Sequence, residues 1–138
     1  PIRHGGYDAT YVTPTGNVFH HNALSGGINV IYIEGGSANT RFYGNAIANT
    51  GGGNAISIYG STVDHSDDLA FSYETITGPA TVRLAGPAGE PTSTNFVFCQ
   101  SGIIAANVTE GPGVHGYTIT TSNCPTNPPL NPGGITVQ

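Results

Sequence analysis

Two stretches of the chain repeat one another. Asn17-Val-Phe-His-His-Asn-Ala-Leu-Ser25 aligns with Thr40-Arg-Phe-Tyr-Gly-Asn-Ala-Ile-Ala48 at an offset of 23, matching Phe19 with Phe42, Asn22 with Asn45, Ala23 with Ala46 and Leu24 with Ile47. After two extra residues, Asn29-Val-Ile-Tyr-Ile33 followed by Gly35 aligns with Asn54-Ala-Ile-Ser-Ile58 followed by Gly60 at an offset of 25. Each copy reads as strand, Asn turn, Gly-rich turn, strand, Gly turn. A unit of this length holds two or three short strands, and stacking the next unit on it pairs each strand in parallel with its equivalent. Phe19 over Phe42 and Leu24 over Ile47 would then stack inside. Asn22 over Asn45 would pass amide hydrogen bonds from one coil to the next.

This pattern resembles the right-handed parallel β-helix of pectate-lyase-like proteins, whose coils carry a hydrophobic-x-x-Asn-x-hydrophobic stretch followed by a Gly-rich turn. The resemblance spans residues 16–61 and implies solenoid coils there. In polysaccharide lyases of this architecture it further implies a basic residue beside acidic calcium ligands on a long groove. Arg41 and Arg83 are the candidate bases, but two coils make too short a groove, so no enzymatic activity is expected.

After Gly60 the pattern changes. Residues 69–74, 80–85, 95–99, 102–108 and 116–121 are short alternating or apolar runs separated by Gly/Pro turns, the spacing of antiparallel sheets. The expected fold is therefore one all-β domain over residues 1–138. It has short β-solenoid-like coils over 7–61, antiparallel strands stapled by a disulfide over 62–124, and a Pro-rich tail with a terminal strand over 125–138. An antiparallel β-sandwich throughout is the alternative, since two Gly-punctuated hairpins align in the same way. The 21 Gly and 10 Pro support strands broken by turns over helices.

Only 8% of the 138 residues are charged, there is no lysine, and the net charge is −5. Phosphate backbones need clustered cations, so nucleic acid is excluded as a partner. Apolar runs are too short for a spanning helix, so membrane insertion is not expected. Cys99 and Cys124 read as a structural disulfide, which places the chain outside the cell or on a cell or virion surface. The absence of methionine suggests that Pro1 is a processed or trimmed start. Asn107-Val-Thr109 is a sequon, making Asn107 a glycosylation candidate.

Chemistry-bearing residues are few. Asp64, Asp67 and Asp68 form the one dense polar cluster and are the candidate Ca²⁺ ligands, although a solvated turn explains them equally and no cofactor is required. His20 and His21 fall on an expected strand, which would send their rings to opposite faces and prevent joint metal ligation. No nucleophile elbow or phosphate-cradling loop is present. Tyr32, Tyr43, Tyr59 and Tyr73 among amides and hydroxyls would suit sugar stacking. The strand-like termini, with Tyr7, Tyr11, Val12, Ile135 and Val137, are candidates for strand complementation between subunits.

The expectation is a structural subunit of an extracellular assembly, whose partner is itself: a filament, a pilus-like appendage or a virion-type lattice. A glycan-binding or glycan-processing module of a larger β-helix protein is the alternative. A minor-pilin head is a third reading, prompted by the late cysteine pair.

Overall fold

The computed structural model describes residues 2–4, 16–34, 37–59, 66–85, 95–111 and 116–125. Their short strands wind into stacked coils. β1 (Ile2–His4) precedes a first coil of β2 (Val18–His20), β3 (Ala23–Ser25) and β4 (Asn29–Glu34). The second coil holds β5 (Ser37–Ala38), β6 (Arg41–Tyr43), β7 (Ala46–Ala48) and β8 (Asn54–Tyr59). The third holds β9 (Ser66–Asp67), β10 (Ala70–Ser72), β11 (Thr75–Thr77) and β12 (Val82–Ala85). β13 (Phe96–Cys99), a 3₁₀ turn (Ala105–Asn107) and β14 (Val108–Glu110) form the fourth, and β15 (Tyr117–Thr120) opens a fifth.

Equivalent strands of successive coils form the sheets. One sheet runs β1-β4-β8-β12-β14, a second β2-β6-β10-β13-β15, a third β3-β7-β11, and β5 pairs with β9. Every described pair is parallel. The repeat inferred from sequence is the observed register: Phe19 pairs with Phe42, Leu24 with Ile47, Ile31 with Ile56 and Ile33 with Ile58.

The all-β class stands, and the antiparallel arrangement expected over 62–124 is corrected. β10, β11 and β12 continue the three sheets in parallel, and β13, β14 and β15 follow. Strand alternation has the same two-residue period in either direction, so it carries no information about polarity. Gln100-Ser101-Gly102, which would suit a hairpin, is instead the corner between β13 and the rest of its coil.

The core is a set of side-chain columns running along the stack. The rings of Phe19, Phe42, Phe71 and Phe98 lie face to face at 5.0, 4.6 and 5.3 Å, and Tyr117 closes the column edge-on at 6.4 Å from Phe98. Phe42, Phe71 and Phe98 are fully buried, together with Ile31, Ile33, Ile56, Ile58 and Leu84 of the facing sheet. Parallel in-register pairing places each ring one strand spacing, about 4.8 Å, above its equivalent, which is a favourable stacking distance.

Corners are made by single residues in the left-handed region. His21, Gly44, Tyr73 and Gln100 occupy equivalent places with φ of 51°, 60°, 57° and 47°. Their amides donate to the next coil, His21 to Tyr43, Gly44 to Ser72, Tyr73 to Cys99 and Gln100 to Thr120. The backbone N–H at each of these corners is thus satisfied by the next coil. Coils approach closely at Gly53, where a Cβ would collide with the carbonyl of Ile28.

Cys99 and Cys124 form the expected disulfide, with Cα atoms 5.4 Å apart. It ties the segment leaving β15 to the end of β13.

Candidate functional site

Three residues after each stacked Phe, the chain places a polar side chain at the corner: Asn22, Asn45, Glu74 and Ser101. Asn45 is fully buried and links three coils. Its Oδ1 accepts from the backbone N–H and the Nδ2 of Asn22, both at 3.0 Å. Its Nδ2 donates to the Phe19 carbonyl at 3.0 Å and to Glu74 Oε1 at 3.2 Å, and its backbone N–H donates to Glu74 Oε2 at 3.0 Å.

Glu74 is 5% exposed. Burial disfavours its charged form and outweighs the hydrogen bonds from Asn45, pushing its carboxyl pKa from an ordinary 4.5 up to about 8. At neutral pH it is a buried, protonated acid. Ser101, next in the column, is also buried, and its Oγ has no protein partner among the described residues. Sequence reading anticipated the Asn22–Asn45 contact and missed Glu74 and Ser101. The shared spacing Phe-x-x-polar at Phe71 and Phe98 is the signal that identifies them.

Outside the same corner lies an aromatic ridge. His21 packs edge-on against Tyr43 at 5.7 Å, and Tyr43 against Tyr73 at 5.3 Å. Tyr73 is 42% exposed. Tyr32 and Tyr59 sit on β4 and β8 of another sheet, where Arg83 lies 6.0 Å from the Tyr59 ring centre. The four tyrosines therefore make two surfaces and not one.

His20 and His21 depart from expectation. β2 ends at His20, and the left-handed His21 turns the chain, so the rings meet at 84° with their Nδ1 atoms 3.1 Å apart. They do not point to opposite faces.

The remaining candidates are dispersed. Asp64 lies outside the described residues, and Asp67 falls on β9. Asp68 takes a left-handed corner conformation, and its carbonyl accepts a hydrogen bond from Arg41 Nη1. Arg41 also donates to the Thr40 carbonyl at 3.3 Å, so its guanidinium is engaged with backbone. Arg41 and Arg83 stand on different sheets. Among the described residues no three His, Cys, Asp or Glu side chains cluster as a metal site. Asn107 is half-buried at the end of the 3₁₀ turn, its Oδ1 accepting from the Ile104 N–H at 3.1 Å, and Thr109 of the sequon is exposed on β14. Tyr7, Tyr11, Val12, Ile135 and Val137 lie outside the described residues.

The outer side of β3, β7 and β11 carries Ala23, Ser25, Ala46, Ala48, Thr75 and Thr77 around a shallow depression of about 190 Å³. No helix among the described residues is long and apolar enough to cross a membrane. Comparison with protein-family models, with curated proteins and with solved structures finds no match to this chain.

Proposed function

We propose that the chain is a structural element of an extracellular assembly, extended by stacking coil on coil. The parallel coils are compatible with the β-helix of pectate-lyase-like proteins, here serving as a scaffold. The observation that carries this reading is the burial gradient along the stack. In the three-stranded sheet Ile47 of the middle strand is 1% exposed, while Leu24 and Ile76 of the flanking strands are only half-buried. At the far end, Tyr117 and Ile119 on β15 are half-buried, and β15 pairs only with β13 among the described residues. Strand edges backed by apolar columns are templates for further strands. A chain with few charges also loses little by burying its ends.

The test is negative-stain electron microscopy with light scattering on the untagged protein at micromolar concentration. Filaments or discrete oligomers are expected, and Ile119→Arg is expected to dissolve them while far-UV circular dichroism stays unchanged. Monomers of one mass across the concentration range would overturn the reading.

The aromatic ridge favours a second reading, glycan binding, because edge-to-face Tyr43 and Tyr73 offer sugar-stacking area at an exposed corner. Titration with neutral oligosaccharides should then shift ridge resonances, and Tyr73→Ala should abolish the shift. No shift in the parent protein would remove this reading.

A further inference from the structure

The histidine pair at the corner after β2 is a cluster of metal-ligating side chains that the assembly reading leaves unused. Its geometry is set by the backbone of His21 and by two neighbours. The left-handed φ of His21, 51°, swings that residue off the strand and back toward His20. Gly44, the equivalent corner residue one coil on, makes room for the ring: a Cβ there would lie 3.3 Å from both Cδ2 and Nε2 of His21. Tyr43 then holds the ring edge-on at 5.7 Å and 68°. The Nε2 edge of His21 thus rests against the second coil, and its Nδ1 faces the Nδ1 of His20 at 3.1 Å.

We propose that His20 and His21 form a surface binding site for a divalent d-block cation, chelated by the two Nδ1 atoms. Metal–imidazole bonds are about 2.0–2.1 Å, so nitrogens 3.1 Å apart subtend about 100° at the metal. That angle lies between the right angle of square-planar sites and the tetrahedral angle. In the metal-free protein one Nδ1 donates its proton to the other. On binding, that proton moves through solvent from Nδ1 to the Nε2 of the same ring, and both Nδ1 lone pairs become available. No covalent change beyond this tautomeric shift is needed.

The chemistry of the donors selects the ion. Two neutral imidazoles suit Cu²⁺, Ni²⁺ and Zn²⁺, with Cu²⁺ preferred by the general affinity order, and offer nothing to Ca²⁺ or Mg²⁺. Arg41, the cation of the neighbouring strand β6, is engaged with the carbonyls of Thr40 and Asp68. His20 is half-buried and His21 exposed, so the other coordination positions open to solvent and are filled by water. This is an open and exchangeable site, unlike a closed structural one.

The test is titration of the full chain with Cu²⁺, read by calorimetry and by electron paramagnetic resonance. One Cu²⁺ with imidazole nitrogen couplings is expected. His20→Gln and, separately, His21→Asn, chosen because Asn tolerates the left-handed corner, should each weaken binding by at least about tenfold. His4→Gln, His65→Gln and His115→Gln should leave it unchanged. Independently of any variant, substoichiometric Cu²⁺ should broaden the imidazole signals of His20 and His21 first in the nuclear magnetic resonance spectrum of the parent protein. Unchanged affinity in both corner variants, or first broadening at another histidine, would overturn the proposal.

Discussion

Asn45 donates twice to one carboxyl group: its backbone N–H reaches Glu74 Oε2 at 3.0 Å and its Nδ2 reaches Oε1 at 3.2 Å. The pair replaces the amide-to-amide step that joins Asn22 to Asn45 one coil earlier. An acid thus stands where the repeat calls for an amide, and it is compatible with burial only while it keeps its proton.

This makes stability fall as pH rises. Glu74 holds its proton to about pH 8 when folded, against an ordinary value of 4.5 when unfolded, so between these the folded state binds the extra proton. The stabilising contribution is complete below about pH 4.5 and declines by about 1.4 kcal/mol per pH unit until the folded carboxyl itself ionises. Urea unfolding at pH 5, 6.5 and 8 should show a falling midpoint for the parent chain. Glu74→Gln, which carries no ionisable group and gives up one of the two acceptor oxygens facing Asn45, should flatten the difference. Parallel pH curves for the two would show that Glu74 is not the titrating group.

Asn45→Ala should cost about 2–4 kcal/mol. Truncation leaves the Asn22 N–H, the Phe19 carbonyl and one Glu74 oxygen without their partner, and unmet buried polar groups cost about 1–3 kcal/mol each, partly recovered by relaxation. Asn22→Ala, at the half-buried end of the ladder, should cost less. Denaturant midpoints of the two variants check the order.

Phe71→Ala should destabilise by about 3–5 kcal/mol, because the ring is fully buried between Phe42 and Phe98 and its removal opens a cavity that rigid coils cannot close. Phe71→Leu should cost much less. If thermal unfolding of the alanine variant matched the parent, the column would not be carrying the core.

Reducing the Cys99–Cys124 bond should cost about 3.5 kcal/mol, the amount expected for a loop of 25 residues. The loss should be local. Amide exchange should accelerate first at Tyr117–Thr120 on β15, which the bond ties to β13, while Phe42 and Phe71 stay protected. Uniform acceleration would mean that the coils unfold as one unit.

Where coils are of nearly equal length, the sequence alone is sufficient: it pairs Phe19 with Phe42, Asn22 with Asn45 and Ile31 with Ile56, and Cys99 with Cys124. The pattern was lost at the third coil for two physical reasons. The offset between stacked Phe residues rises from 23 to 29 and then falls to 27 as the connections change length, and the corner amide gives way to Glu74 and then Ser101. Short strands alternate with the same period whether their neighbours run with them or against them, so residues 62–124 were legible as strands but not as parallel ones. His20 and His21 show the same limit at a single residue. Their membership of the first repeat places them on a strand, whereas the left-handed turn that brings their Nδ1 atoms together depends on the corner amide of His21 meeting the Tyr43 carbonyl of the next coil. Strand content and side-chain faces are local properties, fixed by residues a few positions apart. Polarity, register beyond the second coil and the chemistry of the corner depend on contacts between residues twenty or more positions apart, and only the stacked coils bring those together.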